Sequence, residues 1–192
     1  YNLFSLFIFI ENSIYQEEMD RGYAIQSTIN VPLSSSKQYD LLSNELEKRP
    51  DIAFTSSTHQ LIGFGIRNES LVFEGVDIYP QRLQVGPNYL QDLGVSLAKG
   101  NWFTTTNADT QSEVIVNQLF EKQAGQDLLH QTLSLAGRQM KVIGVVEDFN
   151  TGSIILNNKK EPLVITLGNK NAHKYLVARS NSLSDTELNL LM

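Results

Sequence analysis

The sequence predicts a mixed α+β fold: an α/β unit of the β-α-β type built from the two chain ends, with a β-rich subdomain inserted between them. Three observations carry this expectation. The stretch Glu113–Ser153 reads as strand, helix, strand, strand, opening on the short β-branched run Val114-Ile115-Val116 that marks a buried strand. Near the start, two apolar runs flank an amphipathic helical pattern over residues 36–49, the order of a β-α-β unit. Between these stretches the text breaks into short apolar runs separated by glycines. The expected borders are residues 22–57 plus 157–192 for the α/β unit and 58–156 for the insertion, with 1–21 standing apart.

In chain order, Leu3–Ile10 is an apolar run shorter than the roughly 20 residues a membrane-spanning helix needs. It reads as a buried element or as one end of a longer span, and no basic segment precedes it as in a signal peptide. The sequence starts at Tyr1, which reads as a piece of a longer chain. Residues Glu11–Arg21 are polar with a thin stripe of Ile14, Tyr15 and Met19, fitting either a helical stalk stopped by Gly22 or an ordinary surface helix. Tyr23–Leu33 is expected as a strand ending at Pro32. Ser34–Ser36 offer N-caps for a helix with Tyr39, Leu42 and Leu46 on one face, closed at Pro50-Asp51, and Ile52–Ser56 follows as a strand.

In the insertion, Leu61-Ile62, Leu71–Phe73 and Val76–Tyr79 read as short strands. Gly63-Phe64-Gly65 reads as a turn or bulge and not a phosphate loop, because no lysine follows and no helix begins there. A helix is expected over Pro87–Leu93, opened by Gly86-Pro87 and ended by Gly94. Lys99–Phe103 falls on a turn before a polar loop, Thr104–Ser112. Asn117 is placed to cap a helix carrying Leu119, Phe120 and Ala124 and stopped by Gly125. Leu133–Leu135 and Met140–Val146 form a hairpin around Ala136-Gly137-Arg138. Leu163–Leu167 and Lys174–Arg179 are the closing strands, grouped with the chain ends, and Ser184-x-x-Glu187 has capping-box spacing for a last helix.

Composition excludes several functions. With 15 Lys and Arg against 21 Asp and Glu, a net charge of −6 gives no basic stripe for nucleic acid. The absence of cysteine removes disulfides, thiolate metal sites and cysteine nucleophiles together. His59, His130 and His173 lie far apart in sequence and in no zinc-ligand spacing. Neither a G-x-S-x-G elbow nor a Walker lysine motif occurs. Glu147 and Asp148 are adjacent and would point to opposite faces of an extended backbone, so Asp148 is expected to accept backbone N–H groups at the turn. A hydrolase built on these side chains requires two or more of His59, His130, His173, Glu147 and Asp148 to converge. The lone tryptophan, Trp102, reads as a recognition residue or, beside Phe103 and Leu97, as a turn-packing core residue.

The segment VIVN, its short helix ending in glycine, the hairpin and the run VIGVVEDFNTGS together resemble the extracytoplasmic domain of MacB/FtsX-type ABC transporter permeases. The block Asn88–Val95 followed by Leu97–Phe103 is similar to a second stretch of those domains, and the resemblance runs from about Asp20 to about Arg179. It implies that residues 1–21 are a transmembrane-helix end and stalk, that the α/β unit is membrane-proximal, and that the domain lies in the periplasm beside the inner membrane. It further implies a non-catalytic role: coupling ATP-driven helix motion to export, lipoprotein extraction or cell-wall signalling. No cofactor is expected in this chain, ATP acting at a separate nucleotide-binding domain. Implied partners are a second permease copy, an ABC ATPase subunit or domain, and a periplasmic adaptor or membrane-fusion protein. An alternative expectation is a partner-binding domain that recognises an envelope protein or peptide. Its contact would be Trp102, Phe103, Thr104, Asn107 and Asp109.

Overall fold

The computed structural model describes residues 22–23, 28–63, 66–104, 112–152, 160–168 and 173–181. The expected span end and stalk over 1–21, most of the polar loop and the helix after Ser184 lie outside these residues.

Strand β1 (Thr28–Pro32), helix α1 (Ser36–Leu46) and strand β2 (Ile52–Thr58) open the described chain. The Ser35 hydroxyl caps α1 by accepting the Gln38 N–H at 3.2 Å. Tyr39, Leu42 and Leu46 are half-buried as their spacing predicts, and the helix lies against β2 and β12 (Tyr175–Ser180). Both β1 and β2 pair antiparallel with β12, which runs between them, so the expected β-α-β unit is a split one. Its register sets Thr28 opposite Arg179 and Pro32 opposite Tyr175. Pro32 is tolerated because β1 is an edge strand.

The short strands β3 (Arg67–Asn68), β4 (Leu71–Phe73) and β5 (Val76–Ile78) lead to β6 (Gln81–Val85), helix α2 (Tyr89–Asp92) and β7 (Leu97–Gly100). Then come β8 (Glu113–Asn117), α3 (Gln118–Ala124), the hairpin β9 (Thr132–Leu135) and β10 (Arg138–Val146), and β11 (Leu163–Leu167). One sheet runs in the order β1-β12-β2-β6-β11-β8-β10-β7, with β3 beside β6, β9 beside β10, and β4–β5 as a separate ribbon. The β6–β11 and β8–β10 pairs are parallel and the remaining pairs antiparallel. The class is α+β, as the sequence predicts.

Several placements differ from the sequence reading: Leu61-Ile62, expected as a short strand, is irregular chain, and Arg67–Asn68 is a strand that was not expected. β6 was not expected, because Gln81-Arg82-Leu83-Gln84-Val85 offers only two apolar residues. It holds a central position because its polar side chains find partners: Arg82 pairs with Glu69 at 2.9 Å, and the Gln81 carbonyl oxygen accepts the Thr151 hydroxyl. Leu97–Gly100 is a strand where a turn was expected. β11, grouped by sequence with the chain ends, is hydrogen-bonded between β6 and β8.

The middle of the sheet is buried on both faces. Leu83, Val85, Ile115, Leu163 and Ile165 join one apolar cluster with Tyr89, Leu90 and Phe149. Their neighbours Val114, Val116 and Val164 join a second with Phe120, Leu128, Leu133 and the β4–β5 residues Leu71, Phe73 and Ile78. This two-sided burial is why β8, with its run Val114-Ile115-Val116, and the start of β11 read as unbroken apolar runs. At the far edge, β10 and β7 come close at Gly144 opposite Gly100. A Cβ at Gly100 would sit on the Ile143 carbonyl oxygen and one at Gly144 would lie 2.5 Å from the Asn101 carbonyl oxygen, so both positions require glycine.

One side chain ties three elements together. Asn117 is 1 % exposed at the end of β8. Its Oδ1 accepts the Phe120 N–H at 3.1 Å, capping α3, and the Leu163 N–H at 2.8 Å, where β11 begins. Its Nδ2 donates to the Glu161 carbonyl at 2.9 Å. Asp148 adds a second cap by accepting the Leu119 N–H at 2.8 Å, a bond to a helix 29 positions away where its own turn was the expected partner. Gly125 ends the helix at φ +73°, as expected.

Replacing Asn117 by alanine removes a cap and strands buried backbone groups, so urea unfolding should report a loss of about 2–4 kcal/mol. The loop Ala136-Gly137 has φ of +49° and +76°, a two-residue turn whose first position favours asparagine. Ala136→Asn should therefore stabilise the chain by about 0.5–1 kcal/mol in the same assay.

Candidate functional site

The sequence-based partner contact is only partly described. Trp102 is half-buried and packs against the first apolar cluster, Phe103 is buried and belongs to it, and Thr104 is exposed. Asn107 and Asp109 lie outside the described residues. Trp102 and Phe103 border a shallow cleft with Val85, Gly86, Tyr89 and Leu90 on its other walls. Its volume of about 10 Å³ is far below the roughly 300 Å³ at which small-molecule sites begin. The cleft floor is structural: Tyr89 is 3 % exposed and burial pushes its hydroxyl pKa upward. Burial also raises the neighbouring Asp92 carboxyl to about 6.

Of the five titratable residues whose convergence a hydrolase would need, His59 and His173 come near one another. His130 is exposed beyond the β10 edge, its N–H bonded to the Val142 carbonyl, while Glu147 is exposed and Asp148 caps α3. His173 is 7 % exposed, and its Nδ1 shares a hydrogen bond of 2.6 Å with Ser57 Oγ. Among the described residues no carboxylate bonds to His173, so the pair lacks the acid that orients a catalytic histidine. Nε2 makes no hydrogen bond. Burial lowers the His173 pKa to about 4; the Val85 carbonyl opposes this and His59 adds to it. Among the described residues no group of three or more His, Asp or Glu side chains is placed to hold a metal. Sequence reading singled out His173 but not its pairing with Ser57, because the two stand 116 positions apart.

What the fold does place together is its two ends. Thr28 at the start of β1 faces Arg179 near the end of β12, so these two strands begin and end side by side at one edge of the sheet, while the earlier described residues Gly22 and Tyr23 lie against Phe149. Among the described residues no helix is long and apolar enough to cross a membrane.

No protein-family model and no curated protein sequence matches the chain. Solved structures do. The periplasmic region of MacB from Actinobacillus actinomycetemcomitans superposes with a TM-score of 0.60 at 16% identity, over 91% of this chain and 84% of that one. The chain has the fold of a transporter's outer domain. The extracellular domain of the noncanonic ABC-type transporter YknZ from Gram-positive bacteria gives 0.54 at 11% identity, over 82% of this chain and 83% of that one. A domain described as that of a permease protein from Porphyromonas gingivalis gives 0.55 at 16% identity, over 91% and 83%. The resemblance read from the sequence thus holds at the level of fold, and the MacB-type architecture spans nearly the whole chain.

The neutral, buried state of His173 has a pH signature. The folded chain binds the His173 proton near pH 4, whereas the unfolded chain binds it near 6.5. Its neutral form is therefore compatible with full stability above pH 6.5, and stability falls as pH drops from 6.5 towards 4. The loss should reach up to roughly 3 kcal/mol. Thermal melts across that range should show a shallower decline for His173→Asn than for the parent chain.

Proposed function

We propose that this chain is a non-catalytic extracytoplasmic domain of an ABC transporter permease, which relays ATP-driven motion of membrane helices to events outside the membrane. The observation that carries this reading is the β1–β12 pairing within a MacB-type fold. A domain inserted between two membrane helices must receive and return the chain at neighbouring points, and a first strand that starts at Thr28 beside the end of the last strand at Arg179 supports that requirement. A sheet continuous from that edge to β7 is a suitable body for passing displacement outward. In this reading the partners are a second permease copy, an ABC ATPase that binds the nucleotide, and a periplasmic adaptor protein. The inner membrane would hold the helices, with this domain on the periplasmic side.

The alternative, a domain that recognises an envelope protein or peptide, draws support from the half-exposed Trp102 at the rim of its cleft and the exposed Thr104. The two readings separate by mutation. For a recognition surface, Trp102→Ala abolishes partner capture and leaves the domain's folding intact. For a relay, continuity of the chain into the sheet matters most.

In the full-length protein with its ATPase, a short flexible Gly-Ser insertion immediately before Thr28 should lower transport about tenfold or more while ATP hydrolysis continues. An alkaline phosphatase reporter fused after Ser180 should be active, as it is only outside the cytoplasm. Transport indifferent to the insertion, or a silent but expressed reporter, would overturn the proposal.

A further inference from the structure

The ten-stranded sheet is not equally joined along its width. β2 meets β12 over six paired residues, and β6 meets β11 over five. Between them, β2 and β6 share a single residue pair, Thr58 opposite Val85. Two backbone bonds flank it: His59 N–H to the Gln84 carbonyl at 2.9 Å and Gly86 N–H to the Ser57 carbonyl at 2.7 Å. That pattern makes Thr58 and Val85 a non-hydrogen-bonded pair. The line separates a block of β1, α1, β2 and β12 from a block of β6, β11, β8, β10 and β7.

Polar side chains close much of what the ladder leaves open. Ser56 Oγ donates to the Pro87 carbonyl at 3.2 Å, the Gln84 N–H donates to Gln60 Oε1 at 3.2 Å, and the single Thr58 hydroxyl proton lies between the Gln60 carbonyl at 2.7 Å and the Gln84 carbonyl at 3.1 Å. His173 lies across the same line. Its Nδ1 is bonded to Ser57 of β2, whereas its ring rests against glycines of the other block. A Cβ on Gly168, just past β11, would stand 2.5 Å from Nε2, and one on Gly86, just past β6, would stand 3.3 Å from Cε1 and 2.5 Å from Ser57 Oγ. The imidazole fills the space that two missing side chains leave.

We propose that the β2–β6 line is a hinge across the sheet and that the His173 ring, held by its hydrogen bond to Ser57 and seated against Gly86 and Gly168, is the latch that keeps it closed. Few backbone bonds need to break for the blocks to rotate, and those present border connecting segments rather than strand interiors, while Val177 and Phe54 must slide on the apolar cluster of Leu83, Val85 and Tyr89 that spans the line. The latch joins a side chain of β2 to the segment leading into β12, so both of its partners move with one block. What it fixes is the ring's seat on Gly86 and Gly168 of the other. The hinge is a property of the domain itself and stands apart from the transport reading.

Native-state hydrogen exchange on the whole 192-residue chain tests it. The His59 and Gly86 amides should exchange about a hundredfold faster than those of Val177 and Ile165, which lie inside the two blocks. Ser57→Ala should speed His59 and Gly86 by a further factor of about ten and leave Val177 and Ile165 unchanged. A second variant, Thr58→Cys with Val85→Cys, uses the lack of any native cysteine and a pair geometry near 4.5 Å that suits a disulfide. Oxidation should slow His59 and Gly86 to the rate of the block interiors, and reductant should restore the parent rates. Equal exchange at hinge and interior in the parent chain, or uniform acceleration by Ser57→Ala, would overturn the proposal; so would a closed disulfide that leaves the hinge amides fast.

Discussion

The fold depends on a carboxamide in its interior. Where β8 ends, the chain must leave the centre of a sheet, start a helix on one face, and leave room for β11 alongside. Each demand exposes backbone groups that a buried site cannot give to water. Asn117 answers them with a single side chain that both accepts and donates, bonding Phe120, Leu163 and Glu161. A serine or aspartate could cap α3 as well, but neither offers the Nδ2 donor that the Glu161 carbonyl receives. The interaction links residues 44 and 46 positions apart, and so couples the crossover through α3 to the return of the chain in β11.

That coupling explains which parts of the fold were legible. Local chemistry announced α1, α3 and both hairpin strands, because Ser35, Asn117, Gly125 and Ala136-Gly137 act within a few residues of their own positions. β8 and β11 were legible as strands because burial on two faces leaves no polar position in their centres. The neighbours of β11 were not. Chain order suggests that Leu163–Leu167 joins the closing strand, yet the Asn117 bond to the Leu163 N–H directs it between β6 and β8. β6 was illegible for a different reason. Its strand character rests on remote partners, Glu69 for Arg82 and Thr151 for Gln81, which no local pattern encodes.

The candidate sites divide in the same way. Trp102 carried a visible signal, the lone tryptophan beside an aromatic, and its half-buried position is the one its neighbours Phe103 and Leu97 suggest. Ser57 carried none, since a serine in a strand is ordinary until His173 arrives from a distant segment. The glycines at 86 and 168 read as helix start and turn, whereas their spatial role is to admit the imidazole between two strands. Composition could exclude thiol chemistry and nucleic-acid binding, but not specify which polar groups the tertiary fold brings together.

The relation between the sheet's edge and its interior bears most on function. Displacement applied at Thr28 and Arg179 reaches β2 through two long antiparallel ladders, β1–β12 and β12–β2. These distribute force over many bonds and transmit it as a rigid unit. Beyond β2 the next ladder is one residue pair wide, after which β6, β11, β8 and β10 are again extensively joined. Two stiff bodies in series with a narrow joint will concentrate any bending at the joint, because strain energy gathers where the fewest bonds resist it. The Ser56, Ser57 and Thr58 hydroxyls at the joint are buried in the closed form, and on opening they and the Gln60 and Gln84 groups can exchange their protein partners for water. On the proposed reading, such a domain would convert a shift along one edge into rotation of its distal half, the movement that a relay between membrane helices and an outer partner requires.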